Sequence, residues 1–303
     1  MSSYILGRII ESHKQQYIVK HENNIYNCYI KGKKNHAAVG DWVYINKEIY
    51  GKNSIEKIQE RKNIFYRSDN NKRKYLAANI DHIIIIVATE PSFSTDIIGN
   101  LILEAMRCNI DITIILNKDD IKEQVLLSLD RIKSITPENI PIINLSAKNL
   151  TNKEIIFKMY NLLINKTNLL VGQSGMGKST ILNKLVPSAH ANTQEYSKYL
   201  GTGKHTTSHV KLYDLNIGNS FIIDSPGFQE FSIKHININD INKGFPEFSK
   251  FIKECQFYNC SHHHEPGCAI INAVLRGDIK KGRYSLYKKI IKEYQANKKY
   301  LRL

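Results

Sequence analysis

The sequence lacks an apolar run long enough to cross a membrane. The longest apolar run, IIIIV at residues 83–87, is far shorter than the roughly 20 residues of a spanning helix. The opening residues, MSSYILGRIIESHKQQ, also lack the apolar stretch of a signal peptide. We therefore expect a soluble cytoplasmic protein that has no membrane partner.

Cysteine is scarce and its count is odd, with five among 303 residues. Without a signal peptide, an odd count argues against a disulfide framework. Cys28 and Cys108 stand alone in apolar surroundings, so we interpret them as core thiols. The other three cysteines, Cys255, Cys260 and Cys268, cluster with histidines, a combination that favours a metal site.

Acidic residues are outnumbered, 28 against 43 Lys and Arg, which gives a formal net charge of +15. Two explanations fit this excess. The chain is rich in Lys, Asn and Ile throughout, as an AT-rich genome would produce. Alternatively, the partner is a polyanion such as nucleic acid, because neutralisation of phosphates by Lys and Arg dominates such binding. Charge alone does not decide between them.

The N-terminal part, residues 1–66, consists of short strand-like segments separated by polar and glycine turns. Their alternation predicts a small OB-like β-barrel that binds RNA, and a generic structural barrel is the alternative. Residues 61–78, RKNIFYRSDNNKRKYLAA, are basic and weakly periodic. We interpret this second segment as a linker or a partly ordered loop.

From Asp81 the pattern changes to alternating strands and helices. This alternation predicts a parallel sheet covered by helices, which we assign to an α/β domain at residues 67–232. The remaining residues, 233–303, are assigned to a helical domain around the Cys/His cluster. The strand candidates are HIIIIVA, DITIILN, IPIINLS, TNLLVG and SFIID, and the helix candidates are 96–108, 119–133, 151–164 and 178–186.

The segment GQSGMGKS matches the phosphate-binding pattern G-x-x-x-x-G-K-[ST], follows the strand TNLLVG and opens the helix KSTILNKLV. Backbone N–H groups of such a loop wrap phosphates, and the helix N-terminus favours anions. Lys178 is expected to reach the β- and γ-phosphates, and Ser179 to bind Mg²⁺. The candidate phosphate-binding residues are Gly172, Gln173, Ser174, Gly175, Met176, Gly177, Lys178, Ser179 and Thr180.

Two motifs that follow predicted strands contain residues that can recognise the guanine base, and together they form a candidate guanine reader. NKDD supplies Asn117, Lys118 and Asp120, and the Asp120 carboxylate can accept hydrogen bonds from the N1–H and N2 amino group of guanine. Adenine offers no such donors and would leave the carboxylate unpaired. SAK, residues 146–148, follows PIINL, and a backbone N–H there could contact guanine O6. Its residues are Ser146, Ala147 and Lys148.

A fourth motif, DSPG, follows the strand SFIID. Asp224 is a candidate Mg²⁺ ligand, and Gly227 can offer its N–H to the γ-phosphate. All four motifs follow predicted parallel strands, whose carboxyl ends share the ligand-binding edge of an open α/β sheet. Familiar GTPases place the phosphate loop before the guanine reader, whereas here the order is reversed. We therefore infer a circularly permuted P-loop GTPase domain. A nucleic-acid-binding module with a vestigial nucleotide site is the alternative, against which the intact motifs argue.

The motif order resembles that of the RsgA family, circularly permuted GTPases dependent on the small ribosomal subunit. GTGKHTTSHVKLY at 201–213 and LAANIDH at 76–82 are similar to that family's switch and domain entry. The resemblance, weakest in the barrel, implies hydrolysis of GTP to GDP and phosphate during late maturation of that subunit, which would stimulate the reaction. It implies the small subunit and its rRNA as partners, and we expect a monomer. The alternative is a permuted GTPase acting in large-subunit assembly or another RNA pathway.

By this resemblance, Thr206 or Thr207 senses Mg²⁺ and the γ-phosphate, and the choice between them stays open. Phe228 follows DSPG, where Ras-like proteins carry the water-positioning Gln, and an apolar side chain cannot orient water. Intrinsic hydrolysis is therefore expected to be slow. His205 is the candidate catalytic residue, with a solvent-exposed loop residue as the alternative. Gly175 stands where some cation-dependent GTPases place Asn, which argues against a monovalent cation.

The C-terminal cluster has the spacing C-x₄-C-x-H-x₅-C. Three thiolates and one imidazole make a closed tetrahedral Zn²⁺ site, which implies one structural zinc per chain. Reduced cysteines in a small core are the alternative. His263 and His264 are alternative ligands, although the similar module of the RsgA family favours His262. The candidate ligands are Cys255, Cys260, His262 and Cys268.

The last segment, RYSLYKKIIKEYQANKKYLRL, carries Tyr287, Ile290, Ile291 and Tyr294 at helical spacing. This stripe is predicted to pack against the rest of the protein. The lysines lie largely off it and form either a solvated face or a contact to rRNA phosphates.

Overall fold

A computed structural model describes residues 4–13, 16–30, 36–47, 53–69, 72–189 and 209–300. The catalytic candidates His205, Thr206 and Thr207 lie outside these ranges. Within them, no helix is long and apolar enough to span a membrane.

The N-terminal strands close into a five-stranded barrel in the order β1-β2-β3-β5-β4, with β4 paired back to β1. β3 and β5 run parallel, and the other neighbours run antiparallel. Inward-facing Val19, Val43 and Ile45 are buried, while their neighbours along each strand are more exposed. This connectivity confirms the predicted OB-like barrel. Its strands are β1 (Tyr4–His13), β2 (Gln16–His21), β3 (Asn24–Ile30), β4 (Trp42–Asn46) and β5 (Asn53–Ile58).

The basic segment after the barrel is a β-hairpin, so its interpretation as a linker or loop was wrong. β6 (Ile64–Asp69) pairs antiparallel with β7 (Lys72–Ala78). Phe65 is fully buried, and its ring stacks on Phe231 at 5.7 Å between centroids. These stabilising partners lie more than a hundred residues away, where local periodicity carries no signal. The predicted domain boundary after residue 66 falls within β6.

The central domain is a sheet of six strands in the order β10-β9-β8-β11-β13-β12. All its neighbours are parallel except the β12–β13 pair. The two middle strands, β8 and β11, are buried along their whole length because helices cover both faces. The predicted strands are confirmed, but the short, half-exposed β12 was missed. The strands are β8 (His82–Ala88), β9 (Asp111–Asn117), β10 (Ile142–Leu145), β11 (Thr167–Gly172), β12 (Lys211–Asp214) and β13 (Phe221–Asp224).

In the described part of this domain, four helices connect the strands and confirm the predicted segments to within a few residues. Ser94 caps the first by accepting a hydrogen bond from the N–H of Ile97. Thr151 and Glu154 form a reciprocal capping box at the start of the third. The helices are α1 (Thr95–Arg107), α2 (Lys122–Ile135), α3 (Asn152–Leu163) and α4 (Lys178–Leu185).

The C-terminal part is helical, as predicted, and docks on α1 and α2. The Arg283 guanidinium is buried and donates hydrogen bonds to the Gly244 and Ile135 carbonyls and to the Glu247 carboxylate. Tyr287, Ile290 and Ile291 of the predicted stripe are buried, and Tyr294 is half-buried against the core, which confirms the packing role of the stripe. The elements are α5 (Ile238–Lys243), two 3₁₀ turns (Pro246–Lys250 and Ile252–Glu254), α6 (Ala269–Arg276) and α7 (Lys281–Tyr300).

Candidate nucleotide site and candidate metal centre

The strand registers bring the four nucleotide motifs to one edge of the central sheet. Asn117 ends β9 at the level of Leu145, the last residue of β10, and Ser146 follows directly. Asp224 ends β13 opposite Leu170, and two residues later Gly172 ends β11. Because these strands are parallel, the motifs meet at the carboxyl edge whatever their order along the chain.

Two glycines give the phosphate loop its shape. Gly172 lies so close to β8 that a Cβ would stand 2.3 Å from the Ile86 carbonyl oxygen. Gly177 has a φ of +87° and precedes α4, and a Cβ there would stand 2.2 Å from Asn117 Nδ2. Only glycine combines this left-handed conformation with so close an approach. The loop therefore presents its backbone at the N-terminus of α4, where an anion is favoured.

Lys178 lies buried inside the loop. Its Nζ donates hydrogen bonds to the carbonyls of Gly172 at 3.1 Å and Gln173 at 3.3 Å. Burial lowers the pKa of Lys178, and the charge of Asp224 partly offsets this. The carbonyl oxygens offer the Lys178 ammonium only the negative ends of dipoles, whereas a phosphate would offer it a full negative charge. The site therefore suits a polyphosphate.

Asn117 joins the guanine reader to the phosphate loop. Its Nδ2 donates to the Met176 carbonyl at 2.9 Å, and its Oδ1 accepts the Ala147 N–H at 2.9 Å. Lys118 makes a second link, since its Nζ donates to the Gly175 carbonyl at 3.1 Å. Motifs almost 60 residues apart are thus in direct contact. Because the Ala147 N–H is engaged by Asn117, guanine O6 would share or replace that bond.

Asp120 stands exposed beyond this junction. The Ser146 hydroxyl lowers the pKa of the Asp120 carboxyl, so the group is a carboxylate at neutral pH. The Ser146 oxygen is itself buried, and within the described residues it makes no hydrogen bond of standard geometry. The exposed Asp120 carboxylate is therefore the group that this junction offers to the N1–H and N2 amino group of guanine.

Not every phosphate-loop side chain faces the site. Met176 is 2% exposed and belongs to the core. Gln173 turns towards α1, where its Oε1 accepts the Ser94 N–H at 2.6 Å. These two residues can therefore contact a nucleotide chiefly through their backbone. The side chains of Ser174, Ser179 and Thr180 are exposed.

One wall of the site, the loop between β8 and α1, contains none of the four sequence motifs. The Glu90 carbonyl accepts a hydrogen bond from Lys118 Nζ at 2.7 Å. A Cβ on Gly175 would stand 3.2 Å from Pro91 Cγ. The signal that could have found this loop is its position, because it follows the carboxyl end of a central strand like the other motifs do.

DSPG lies against the phosphate loop. The Asp224 carboxylate is buried, and a Cβ on Gly227 would stand 3.0 Å from Lys178 Nζ and 3.2 Å from the Ser174 nitrogen. Phe228, the next residue, donates its N–H to the Gly172 carbonyl at 3.2 Å. Its ring is 2% exposed and packs edge-on against Phe231. The aromatic side chain thus points into the protein and cannot orient water at the site.

The Cys/His cluster has the dimensions of a tetrahedral zinc site. Its four ligand atoms lie within 4.8 Å of one another. His262 Nδ1 is 3.5 Å from Cys255 Sγ and 3.6 Å from Cys268 Sγ. Zn–S bonds of about 2.3 Å and Zn–N bonds of about 2.0 Å at tetrahedral angles place N and S roughly 3.5 Å apart. Cys260 completes the set of four ligands. These residues therefore fit a zinc ion, which is the metal that we propose for this site.

Hydrogen bonds around the cluster hold its loop in place. Tyr284 donates its hydroxyl to the His262 carbonyl at 3.0 Å, and Tyr287 donates to the Ser261 carbonyl at 3.1 Å. Burial alone would raise the pKa of Glu265, but hydrogen bonds from Ser261 and from backbone N–H groups lower it below its usual range. Glu265 therefore acts as a fixed internal anion that closes the loop.

Removing one ligand tests the metal centre. A Cys260→Ser variant is expected to lose the bound zinc and to unfold at a temperature several degrees lower, because binding of the metal is linked to folding. Cys108→Ser is the matched control, since Cys108 lies outside the cluster and donates to the Ile64 carbonyl, as a serine also can. The measurements are zinc content per chain and thermal unfolding. Retention of a full equivalent of zinc by Cys260→Ser would remove Cys260 from the ligand set.

Acidification should release the metal as well. Burial raises the pKa of the Cys260 thiol to about 12 and also raises the pKa of Cys268. A thiol must lose its proton to bind zinc, so metal affinity falls as pH falls and protons compete for the ligands. We expect the zinc content after exposure to a moderate chelator to fall steadily as the pH is lowered from 7.

A sequence model of the family described as RsgA GTPase matches residues 58–234. Small ribosomal subunit biogenesis GTPase RsgA from Bordetella pertussis is 41% identical over 295 residues, covering 97% of this chain and 98% of that protein. A relative of the same name from Paraburkholderia phymatum is 40% identical over 291 residues, covering 95% and 92%. Both alignments extend beyond the matched domain at each end.

Solved structures resemble the chain over nearly its whole length. The crystal structure of YjeQ from Thermotoga maritima has a TM-score of 0.72 at 26% identity, covering 97% of this chain and 99% of that chain. The crystal structure of YloQ, described as a circularly permuted GTPase, has a TM-score of 0.69 at 22% identity, covering 97% of this chain and 96% of that chain. The second likeness is one of fold alone.

Proposed function

Since the chain belongs to the RsgA GTPase family, we propose that it hydrolyses GTP during the maturation of the small ribosomal subunit. The observation that carries the nucleotide chemistry is the contact of Asn117 Nδ2 with the Met176 carbonyl at 2.9 Å. Through it, one nucleotide can span the distance between Asp120 and Lys178. The name shared by its relatives, small ribosomal subunit biogenesis GTPase, supports the pathway.

The binding step follows from the geometry at the sheet edge. Asp120 accepts hydrogen bonds from the guanine N1–H and N2 amino group, while the loop ending at Gly177 gives backbone N–H groups to the phosphates. Lys178 exchanges its two carbonyl partners for phosphate oxygens. Asn117 holds the base-reading and phosphate-binding loops at a fixed separation, which selects a ligand of the length of a nucleotide.

The hydrolytic step needs a divalent cation and a positioned water. Ser179 and Asp224 supply oxygen atoms of the kind Mg²⁺ prefers, and the ion when bound neutralises charge between the β- and γ-phosphates. Phe228 faces the core, so it contributes no polar group to the attacking water. We assign water positioning to His205 and γ-phosphate sensing to Thr206 or Thr207, on the family resemblance. Slow turnover of the isolated protein follows, because Phe228 stands where Ras-like GTPases carry the water-positioning Gln.

The flanking domains are the proposed contacts to rRNA. An OB-like barrel is a frequent binder of nucleic acid, and the net charge of +15 favours a polyanionic partner. The C-terminal domain with its zinc would present further basic surface. A cytoplasmic location and a monomeric protein without a membrane partner complete the proposal.

The test is GTP turnover with and without purified small ribosomal subunits. Subunits are expected to raise the rate by about tenfold or more, against roughly 10³-fold or more where a partner supplies a catalytic arginine. Purified large subunits are the matched control and separate this proposal from a role in large-subunit assembly. A Lys178→Ala variant supplies the background rate. Equal stimulation by both subunits, or none, would overturn the assignment to the small subunit.

Binding of GTP against ATP separates an enzyme from a module with a vestigial site. We expect GTP to bind and ATP to compete poorly, because adenine cannot donate to Asp120. Failure to bind either nucleotide would favour the vestigial alternative.

A further inference from the structure

The barrel contacts the nucleotide domain at a position in register with Asp224, the aspartate of DSPG. Strand β1 pairs with β12 through Glu11 and Lys211, and Lys211 is in turn the register partner of Asp224 on β13. Residues in register on adjacent strands project to the same face with Cβ atoms about 5 Å apart. The Lys211 side chain therefore has a carboxylate on either side.

The Lys211 ammonium is drawn to the barrel. Its Nζ lies 3.0 Å from Glu11 Oε2, while Glu11 Oε1 lies 2.6 Å from His13 Nε2. The carboxylate of Glu11 is only 14% exposed, so this pair is shielded from much of the solvent. The His13 ring in turn packs against His209 at 4.6 Å between centroids. Glu11 thus contacts Lys211 and His13 contacts His209, the two residues that flank Val210 at the start of β12.

We propose that Glu11 is a positioning residue of the nucleotide site, because it holds the Lys211 ammonium away from Asp224 and so leaves that carboxylate to Mg²⁺. This inference rests on the proposed function, in which Asp224 takes part in binding the cation. The nucleotide site then depends on an acidic side chain that lies in a different domain. No base-reading or phosphate-binding motif contains it.

The consequence of losing Glu11 follows from the register. With the Glu11 carboxylate neutralised, the register leaves Asp224 as a carboxylate on the same face of the sheet, on the strand next to Lys211. An ammonium beside Asp224 competes with Mg²⁺ for the same oxygen atoms. Nucleotide binding that does not use the cation stays unchanged, because the phosphate loop and the guanine reader do not touch Glu11.

The test is a Glu11→Gln variant, which keeps the shape of the side chain and removes its charge. Binding of a fluorescent GTP analogue is titrated with Mg²⁺, and binding of a GDP analogue is measured in EDTA. Half-saturating Mg²⁺ is expected to rise about two- to fivefold, the range for an oppositely charged cross-strand pair. Affinity for GDP in EDTA is expected to match the wild-type value. Thermal unfolding of the variant checks that its fold persists.

Rescue distinguishes positioning from general destabilisation. Adding Lys211→Met to Glu11→Gln removes the competing ammonium, and half-saturating Mg²⁺ should return towards the wild-type value. Lys20→Met is the matched control, since Lys20 is an exposed lysine on β2 and not a partner of Glu11 in the β1–β2 register. In the Glu11→Gln background it should restore nothing.

Three results would overturn the inference. They are an unchanged Mg²⁺ titration in Glu11→Gln, an equal loss of GDP affinity in EDTA, and a failure of Lys211→Met to rescue. Wild-type protein that binds no GTP at all would instead contradict the proposed function on which the inference depends. The two failures are therefore told apart by the wild-type arm of the same experiment.

Discussion

Replacing Gly177 by alanine is expected to cost the protein most of its affinity for GTP. The new Cβ would stand 2.2 Å from Asn117 Nδ2, so Asn117 must move and lose its bonds to Met176 and Ala147. Overpacking of this kind costs about 1–3 kcal/mol. If that energy appears in binding, affinity falls by roughly ten- to a hundredfold. Titration with a fluorescent GTP analogue measures the loss.

The chain offers a close control for this substitution. Gly277 has a φ of +89°, against +87° for Gly177, yet a Cβ there meets no heavy atom of the described residues within 4 Å. Gly277→Ala therefore carries similar backbone strain, about 1–2 kcal/mol, without the clash. We expect Gly277→Ala to lower the unfolding temperature slightly and to bind GTP normally. Equal GTP affinity in the two variants would show that the contact with Asn117 is not what holds the site together.

An Asp120→Asn variant is expected to prefer xanthine nucleotides, whereas the wild-type protein is expected to prefer guanine nucleotides. The carboxylate can accept two hydrogen bonds from guanine, whereas an amide faces the guanine amino group with a donor of its own. Xanthine carries a carbonyl at that position and can accept from the amide. Loss of GTP affinity on the order of a hundredfold or more is expected, because sites built on polar pairs reject the wrong partner strongly. Competition by XTP, GTP and ATP measures the change.

Asp119→Asn controls for the loss of one negative charge. Asp119 is adjacent in sequence and anchored through its backbone N–H to the Leu145 carbonyl at 3.3 Å. Its substitution removes the same charge without touching the base-reading carboxylate. A similar loss of GTP affinity in both variants would mean that charge near the loop, rather than recognition of guanine, sets the affinity. The Ser146 hydroxyl lowers the pKa of Asp120, so the preference for guanine should persist as pH falls from 7 to 5.

Much of the fold could be predicted because its signals are local. The barrel strands alternate buried and exposed side chains, and the central strands form apolar runs between amphipathic helices. The hairpin at residues 64–78 could not be predicted from such local signals. Its strands are stabilised by Phe231 and by a bond from the Ser68 N–H to the Ser232 carbonyl at 2.9 Å. A basic segment with few apolar residues does not reveal partners that lie so far along the chain.

The candidate site divides in the same way. The motifs around Asp120, Lys178 and Asp224 were found because each has a fixed spacing and follows a strand. The turn of Gln173 towards α1, the burial of Phe228 and the nearness of Pro91 were not, because each depends on an element that no motif contains. Glu11 is the extreme case, since it lies on a barrel strand with an unremarkable sequence.

The sequence by itself determined the barrel strands, the central strands other than β12, the helices, and which side chains can read guanine or ligate zinc. Those properties depend on neighbours a few residues apart, and the parallel-strand rule then assigns the motifs to one edge. Tertiary structure alone decided that Asn117 bridges the two loops and that β1 joins β12 beside Asp224. Such contacts are set by packing of whole domains, which bring together residues that share no local pattern.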